Sequence, residues 1–219
     1  MAIFDDELIR LKEKILEMGA LVENAIKNSI KSLLEKDNDL AKAVIQKDHL
    51  VNALDVEIDE ECIRLIALRQ PKATDLRFIT TAMKIVTDME RMGDLAVNIA
   101  ERALDLNKEP DIKPYVDIPR MRDIALGMTR DALDAFVHKD KKLAMDVIMR
   151  DDEIDDLKHA IISELLFLML EDPNLICRAM RITFIAQYLE RFADHATNIA
   201  EMVVYLVEGK FIRHTNISE

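Results

Sequence analysis

Glu90 and Asp94 stand one helical turn apart in the segment Glu90-Arg91-Met92-Gly93-Asp94-Leu95-Ala96-Val97-Asn98-Ile99-Ala100-Glu101. The same pattern returns 100 positions later as Glu190-Arg191-Phe192-Ala193-Asp194-His195-Ala196-Thr197-Asn198-Ile199-Ala200-Glu201. Eight of the twelve positions are identical, where chance would give about one, so the chain contains an internal repeat. A repeat kept only for packing would preserve its leucines first. This one preserves carboxylates, an arginine and an amide, which a helix core does not need.

On a helix advancing 100° per residue, Glu90, Asp94, Asn98 and Glu101 fall within about an 80° sector. Glu190, Asp194, Asn198 and Glu201 repeat the arrangement. The stripe lies at the margin of the apolar face, not opposite it. Like charges at i and i+4 destabilise a helix by about 0.2–0.5 kcal/mol per pair, and partial burial raises that cost. Such a stripe calls for a cation or a proton. Arg91 and Arg191 each lie about 100° round from their glutamates.

Neighbouring helices add acids at the same height. A hairpin about residues 72–73 sets Glu90 level with Asp55 and Asp94 level with Val51, with Asp48 and Asn52 within a turn. In the second half the equivalent hairpin sets Asp194 level with Arg150, so Asp151 and Asp155 flank the stripe. The candidate metal ligands are therefore Glu90, Asp94, Asn98, Glu101 and Asp48, with Glu190, Asp194, Asn198, Glu201, Asp151 and Asp155. An all-oxygen set selects hard cations: Mg²⁺, Ca²⁺, Mn²⁺ or oxygen-ligated iron. The bland alternative is a solvated, salt-bridged helix face.

Other chemistry has little support. His195 points about 100° away from the stripe and has Leu95 as its repeat partner. His159 follows Asp156 at a carboxylate-x-x-His spacing, but a ferritin-like di-iron site needs Glu-x-x-His twice. Met83, Met89, Met92 and Met202 read as core filler. There is no glycine-rich phosphate loop, G-x-S-x-G elbow or Cys/His nucleophile pair.

The elements that position these residues are helices. Half of the 219 residues are hydrophobic, only 5% are aromatic, Trp is absent, and 4 Gly and 5 Pro interrupt the chain. The first helix is expected from about Asp5 to Lys36, the second up to Gln70 before Pro71, and the third from an N-cap at Thr74 to about Leu106. Asn107 to Pro119 carries three prolines and reads as a linker. The fourth helix covers about Pro119 to His138, the fifth follows Lys139-Asp140, and the sixth starts at Asp172-Pro173 and stops at Gly209. The tail from Lys210 to Glu219 is polar and expected to be loose. The middle helices repeat as well, Val44 to Asp48 matching Val147 to Asp151 and Leu54 matching Leu157. The fold class is all-α: two tandem three-helix bundles, residues 1–109 and 120–219, joined by a proline-rich linker at 110–119.

A net charge of −12 argues against nucleic acid and against unaided binding to an anionic membrane surface. Cys62 and Cys177 have no CxxC partner and read as buried small hydrophobes in a reducing compartment. The acidic start Met1-Ala2-Ile3-Phe4-Asp5-Asp6-Glu7 has no apolar stretch of a secretory signal, and the longest apolar run, Leu165 to Leu170, is far short of a membrane span. A cytoplasmic protein without membrane insertion is expected.

Asp75-Leu76-Arg77 after Pro71, the segments Glu90 to Glu101 and Leu189 to Glu201, and Tyr205-Leu206-Val207-Glu208-Gly209-Lys210 together resemble the PhoU family of phosphate-homeostasis regulators over nearly the whole chain. The second half has Leu175, Ile176 and Cys177 in place of Asp-Leu-Arg. The resemblance implies two three-helix bundles whose E-x-x-x-D motifs bind metal, often as multinuclear clusters: Glu90 and Asp94 at one site, Glu190 and Asp194 at the other. It also implies a non-enzymatic negative regulator of the phosphate regulon, a homodimer or larger assembly. Such a regulator works in the cytoplasm beside the phosphate ABC transporter ATPase and its sensor histidine kinase, recruited by them to the inner membrane face. Two alternatives stand against this expectation. One is a carboxylate-bridged metalloenzyme, an oxidase or hydrolase; the other is a helical scaffold with incidental charge.

Overall fold

Leu11, Ile15, Met18, Val22, Ile26, Ile30 and Leu33 recur every three or four residues, and each is buried along the first helix. That spacing sets the pattern for the molecule. The computed structural model describes residues 2–209, so the expected loose tail from Lys210 lies outside the described residues. The helices are α1 (Ala2–Leu34), α2 (Asn38–Arg69), α3 (Ala73–Leu106), α4 (Asp117–His138), α5 (Lys141–Met149), α6 (Asp151–Glu171) and α7 (Ile176–Glu208). A single 3₁₀ turn, Pro173–Leu175, precedes α7, and no strand occurs among the described residues. The first half is the bundle α1–α3. In the second, α4, the broken pair α5–α6 and α7 take the same three places.

Local chemistry sets the boundaries. Asp37 caps α2, its side chain accepting from the amides of Asp39 and Leu40. Asp140 caps α5 through the amide of Leu143, and Asp172 accepts from the amide of Asn174 ahead of Pro173. Gly209 ends α7 in the left-handed conformation at φ 71°, as expected from its position.

Three expectations are corrected. Thr74 is not an N-cap: α3 already begins at Ala73, and Lys72 stands at the cap without a side-chain hydrogen bond. Lys72, Ala73 and Thr74 are exposed, which leaves the free amides of this end open to solvent. Cys177 is exposed in the first turn of α7, whereas Cys62 is buried as expected. The middle helix of the second half is two helices, interrupted at Arg150. There the guanidinium is drawn to Asp131 of α4 at 2.5 Å and to Asp146 at 3.3 Å. The acidic run Asp151, Asp152, Glu153 then fills the first turn of α6, where the helix dipole favours negative charge.

The two bundles share one hydrophobic core that runs through both halves. The motif helices α3 and α7 pack on each other, and α1 packs on α4. Phe78 of α3 stacks on Phe136 of α4 with ring centroids 4.9 Å apart. Glu23 of α1 meets Arg130 of α4 at 2.5 Å. Arg77 of the Asp75-Leu76-Arg77 element reaches the Leu206 carbonyl, 3.4 Å away, at the far end of α7. The linker is tied down too: Arg178 donates to the Pro110 carbonyl at 2.8 Å and Arg181 to Glu109 at 2.9 Å.

Candidate functional site: two acidic clusters

In the first half, α2 and α3 bring Asp48, Asp55, Glu90 and Asp94 into one electrostatic neighbourhood. Gly93 makes the close approach possible: a Cβ there would meet Val51 at 3.3 Å and the Asp48 Oδ1 at 3.5 Å. Desolvation, then the Asp94 charge, then Asp55 and Asp48 push the Glu90 carboxyl above its usual range. Desolvation raises Asp48 as well, against a hydrogen bond of 2.9 Å from the Asn52 amide. Asp55 is raised by desolvation and the Asp59 charge. The available cation is Arg91, which approaches from the rim at 3.5 Å from Glu90 and 3.6 Å from Asp94, with its side chain 62% exposed. A cavity of about 280 Å³ between α1, α2 and α3 abuts this cluster, with Asn24, Asn28, Lys47 and Asp48 among its walls.

In the second half, α6 and α7 gather Asp151, Asp155, Glu190 and Asp194. Desolvation and the charges of Glu190, Asp151 and Asp155 push Asp194 up to about 6. Desolvation likewise raises Asp151, whose Oδ1 accepts a 3.3 Å hydrogen bond from the Thr197 hydroxyl. Lys158 stands inside this cluster. Its ammonium donates to Asp155 at 2.6 Å and to Glu190 at 2.9 Å.

The sequence-derived candidates divide accordingly. Glu90, Asp94 and Asp48 share the first cluster, while Glu190, Asp194, Asp151 and Asp155 share the second. Asn198 turns elsewhere, its amide donating at 3.4 Å to Asp88 of α3. Asn98 is half-buried on α3, Glu201 half-buried on α7, and Glu101 exposed. Sequence reasoning missed three participants: Asp55 as a member of the set, Lys158, and Asp88, which also takes the Nδ1 of His195 at 2.8 Å. For Lys158 a signal existed, since it follows Asp155 at i+3, the spacing of a helical ion pair.

These donor sets fit a hard cation in chemistry: oxygen only, partly desolvated, and short of counter-charge. As the side chains stand, no group of three or more His, Cys, Asp or Glu converges closely enough to hold one ion among the described residues. An ion at either cluster would thus require the carboxylates to rotate inward. Asp48, Asp55, Glu90 and Asp94 are the residues that would hold it in the first half.

A three-helix unit used twice, with an E-x-x-x-D pair at the same height in each copy, defines the class. The PhoU domain matches residues 15–103 and 118–203 of this chain. The chain is 46% identical over 213 residues to the phosphate-specific transport system accessory protein PhoU homolog of Aquifex aeolicus (strain VF5), spanning 97% of this chain and 96% of that one. It is similar to the crystal structure of PhoU from Pseudomonas aeruginosa, with a TM-score of 0.90, 39% identity, and 94% and 100% of the two chains covered. The phosphate transport system regulatory protein PhoU from Streptococcus pneumoniae gives a TM-score of 0.88 at 34% identity, over 95% and 98%. The chain belongs to the PhoU family.

Proposed function

We propose that this chain is a metal-binding negative regulator of phosphate uptake and of phosphate-regulon signalling. It acts as an adaptor between the phosphate ABC transporter ATPase and its sensor histidine kinase. Family membership along the length of both halves carries the regulatory part of the reading. Relatives matched end to end bear the names of an accessory and a regulatory protein of phosphate transport. The metal part rests on the crowded carboxylates, which are left with less positive charge than their burial demands.

In this reading a divalent or iron cation draws Glu90 and Asp94 of α3 toward Asp48 and Asp55 of α2, stiffening the hairpin that presents the outer surface. The chain works as a homodimer in the cytoplasm and reaches the inner membrane face through its partners. No helix among the described residues is long and apolar enough to cross a membrane. The enzymatic alternative gains nothing from His159, which is exposed with its ring Nδ1 2.8 Å from the Asp155 carbonyl.

The test is genetic and direct. Cells lacking this chain should take up phosphate and express phosphate-starvation genes in phosphate-replete medium, and the wild-type chain should restore repression. The purified chain should also bind the transporter ATPase and the kinase. Normal repression without the chain would contradict the proposal.

A further inference from the structure

The internal repeat allows each ligand position to be compared with its sibling. Matching Val44 to Asp48 with Val147 to Asp151 pairs Asn52 with Asp155 and Asp55 with Lys158. Both halves therefore carry four clustered carboxylates, but they are arranged differently. Where the first half has an amide and a carboxylate on α2, the second has a carboxylate and an ammonium on α6.

The ammonium is not a surface decoration. Its side chain is only 16% exposed, and that of Glu190 only 19%. Lys158 donates one hydrogen bond to Asp155 at 2.6 Å and one to Glu190 at 2.9 Å, which together hold it between α6 and α7. By contrast, among the described residues no lysine forms an ion pair with Asp48, Asp55, Glu90 or Asp94, and Arg91 meets the first cluster from the exposed rim. Asp151 and Asp194 form no ion pair with Lys158, so the second half is short of positive charge as well, but its cation sits inside the cluster and not at the rim.

We propose that Lys158 is a built-in cation of the second half and makes the two sister sites unequal. The first half takes a divalent ion once its carboxylates turn inward, with no buried ammonium to displace. The second takes one only after Lys158 has swung away from Glu190 and Asp155. That exchange gives up two charge-assisted hydrogen bonds and leaves an ammonium close to the arriving ion. The second site is weaker by on the order of tenfold or more, so the chain fills in two steps and reads two ranges of ion concentration. This inference rests on the metal reading above.

The experiment titrates Mn²⁺ into the full chain, following heat and melting temperature. Glu190→Gln with Asp194→Asn leaves only the first half active, and Glu90→Gln with Asp94→Asn leaves only the second. The first-half chain should saturate at Mn²⁺ concentrations about tenfold or more below those of the second-half chain. Adding Lys158→Met to the second-half chain should bring it to within about threefold of the first, and adding it to the first-half chain should change nothing. Lys158→Gln, which keeps a hydrogen-bond donor without the charge, serves where methionine prevents folding. Equal saturation in the two halves, or a second half indifferent to losing Lys158, overturns the inference and leaves the metal reading standing. Absence of Mn²⁺ binding in both halves overturns both.

Discussion

The Nδ1 of His195 lies 2.8 Å from the Oδ1 of Asp88, joining α7 of the second half to α3 of the first beside the acidic stripes. The Asn198 amide donates to the same oxygen at 3.4 Å. Asp88 and His195 are each less than a quarter exposed, at 17% and 24%. Two residues of the second motif therefore read the position of the first motif's helix.

Removing this joint should loosen the seam without unfolding either bundle. Asp88→Ala is expected to cost about 1–2 kcal/mol, a single hydrogen-bonded charge in a half-buried place. In a chain of this size the melting temperature would fall by roughly 2–8 °C. Differential scanning calorimetry checks it; an unchanged melting temperature would mean that the contact contributes nothing.

The apolar seam matters more. Phe136 is fully buried and stacked on Phe78, so Phe136→Ala leaves a cavity in the shared core. A loss of about 3–5 kcal/mol is expected, read from denaturant midpoints with an unchanged slope.

Acid stability should depend on Glu7. Hydrogen bonds from Arg69 at 2.8 and 3.0 Å, helped by Arg64 at 3.2 Å, hold its carboxyl down at about 2. Because the folded state lowers this pKa, the associated stability is present above about pH 4.5 and is lost as pH falls toward about 2. Glu7→Gln should flatten the stability curve in that window and lower stability at neutral pH. A variant with an identical acid profile would contradict this.

Asp194 has the opposite sign. Burial and its acidic neighbours raise its carboxyl from 3.8 to about 6, so between these values the folded state holds the proton more tightly than the unfolded chain. Metal-free protein should therefore lose stability as pH rises through that window, tempered by the solvent that reaches the side chain. Asp194→Asn should abolish the loss, and Mn²⁺ should offset it at pH 7 in the wild type. Melting temperatures between pH 4 and pH 7 separate these outcomes; a wild-type curve flat across the window would rule the effect out.

Much of this architecture can be read from the residues because it depends on local rules. Pro71, Asp172-Pro173 and Gly209 fix helix ends, and the apolar spacing along α1 fixes its buried face. The break at Arg150 is not legible because the helical period continues through it, and the contact that accompanies it, with Asp131, lies on another helix. The clustering of Glu90 with Asp48 and of Asp194 with Asp151 followed from hairpin geometry. Contacts between the halves did not follow, because they join positions that are not repeat partners. Asp88 has Tyr188 as its sibling and His195 has Leu95, so neither stands out when the copies are compared. Lys158 escaped for a related reason: its sibling is Asp55, and a search for shared acids passes over the place where one copy replaced an acid by a base.

The central claim is that cations hold these carboxylates together, and elemental analysis of protein purified without chelators tests it most directly. The wild-type chain should carry a divalent or iron cation, and Glu90→Ala with Asp94→Ala should remove about half of it or more while the helical circular dichroism stays unchanged. Metal per chain that is the same in both proteins, or none in the wild type at all, would contradict the account.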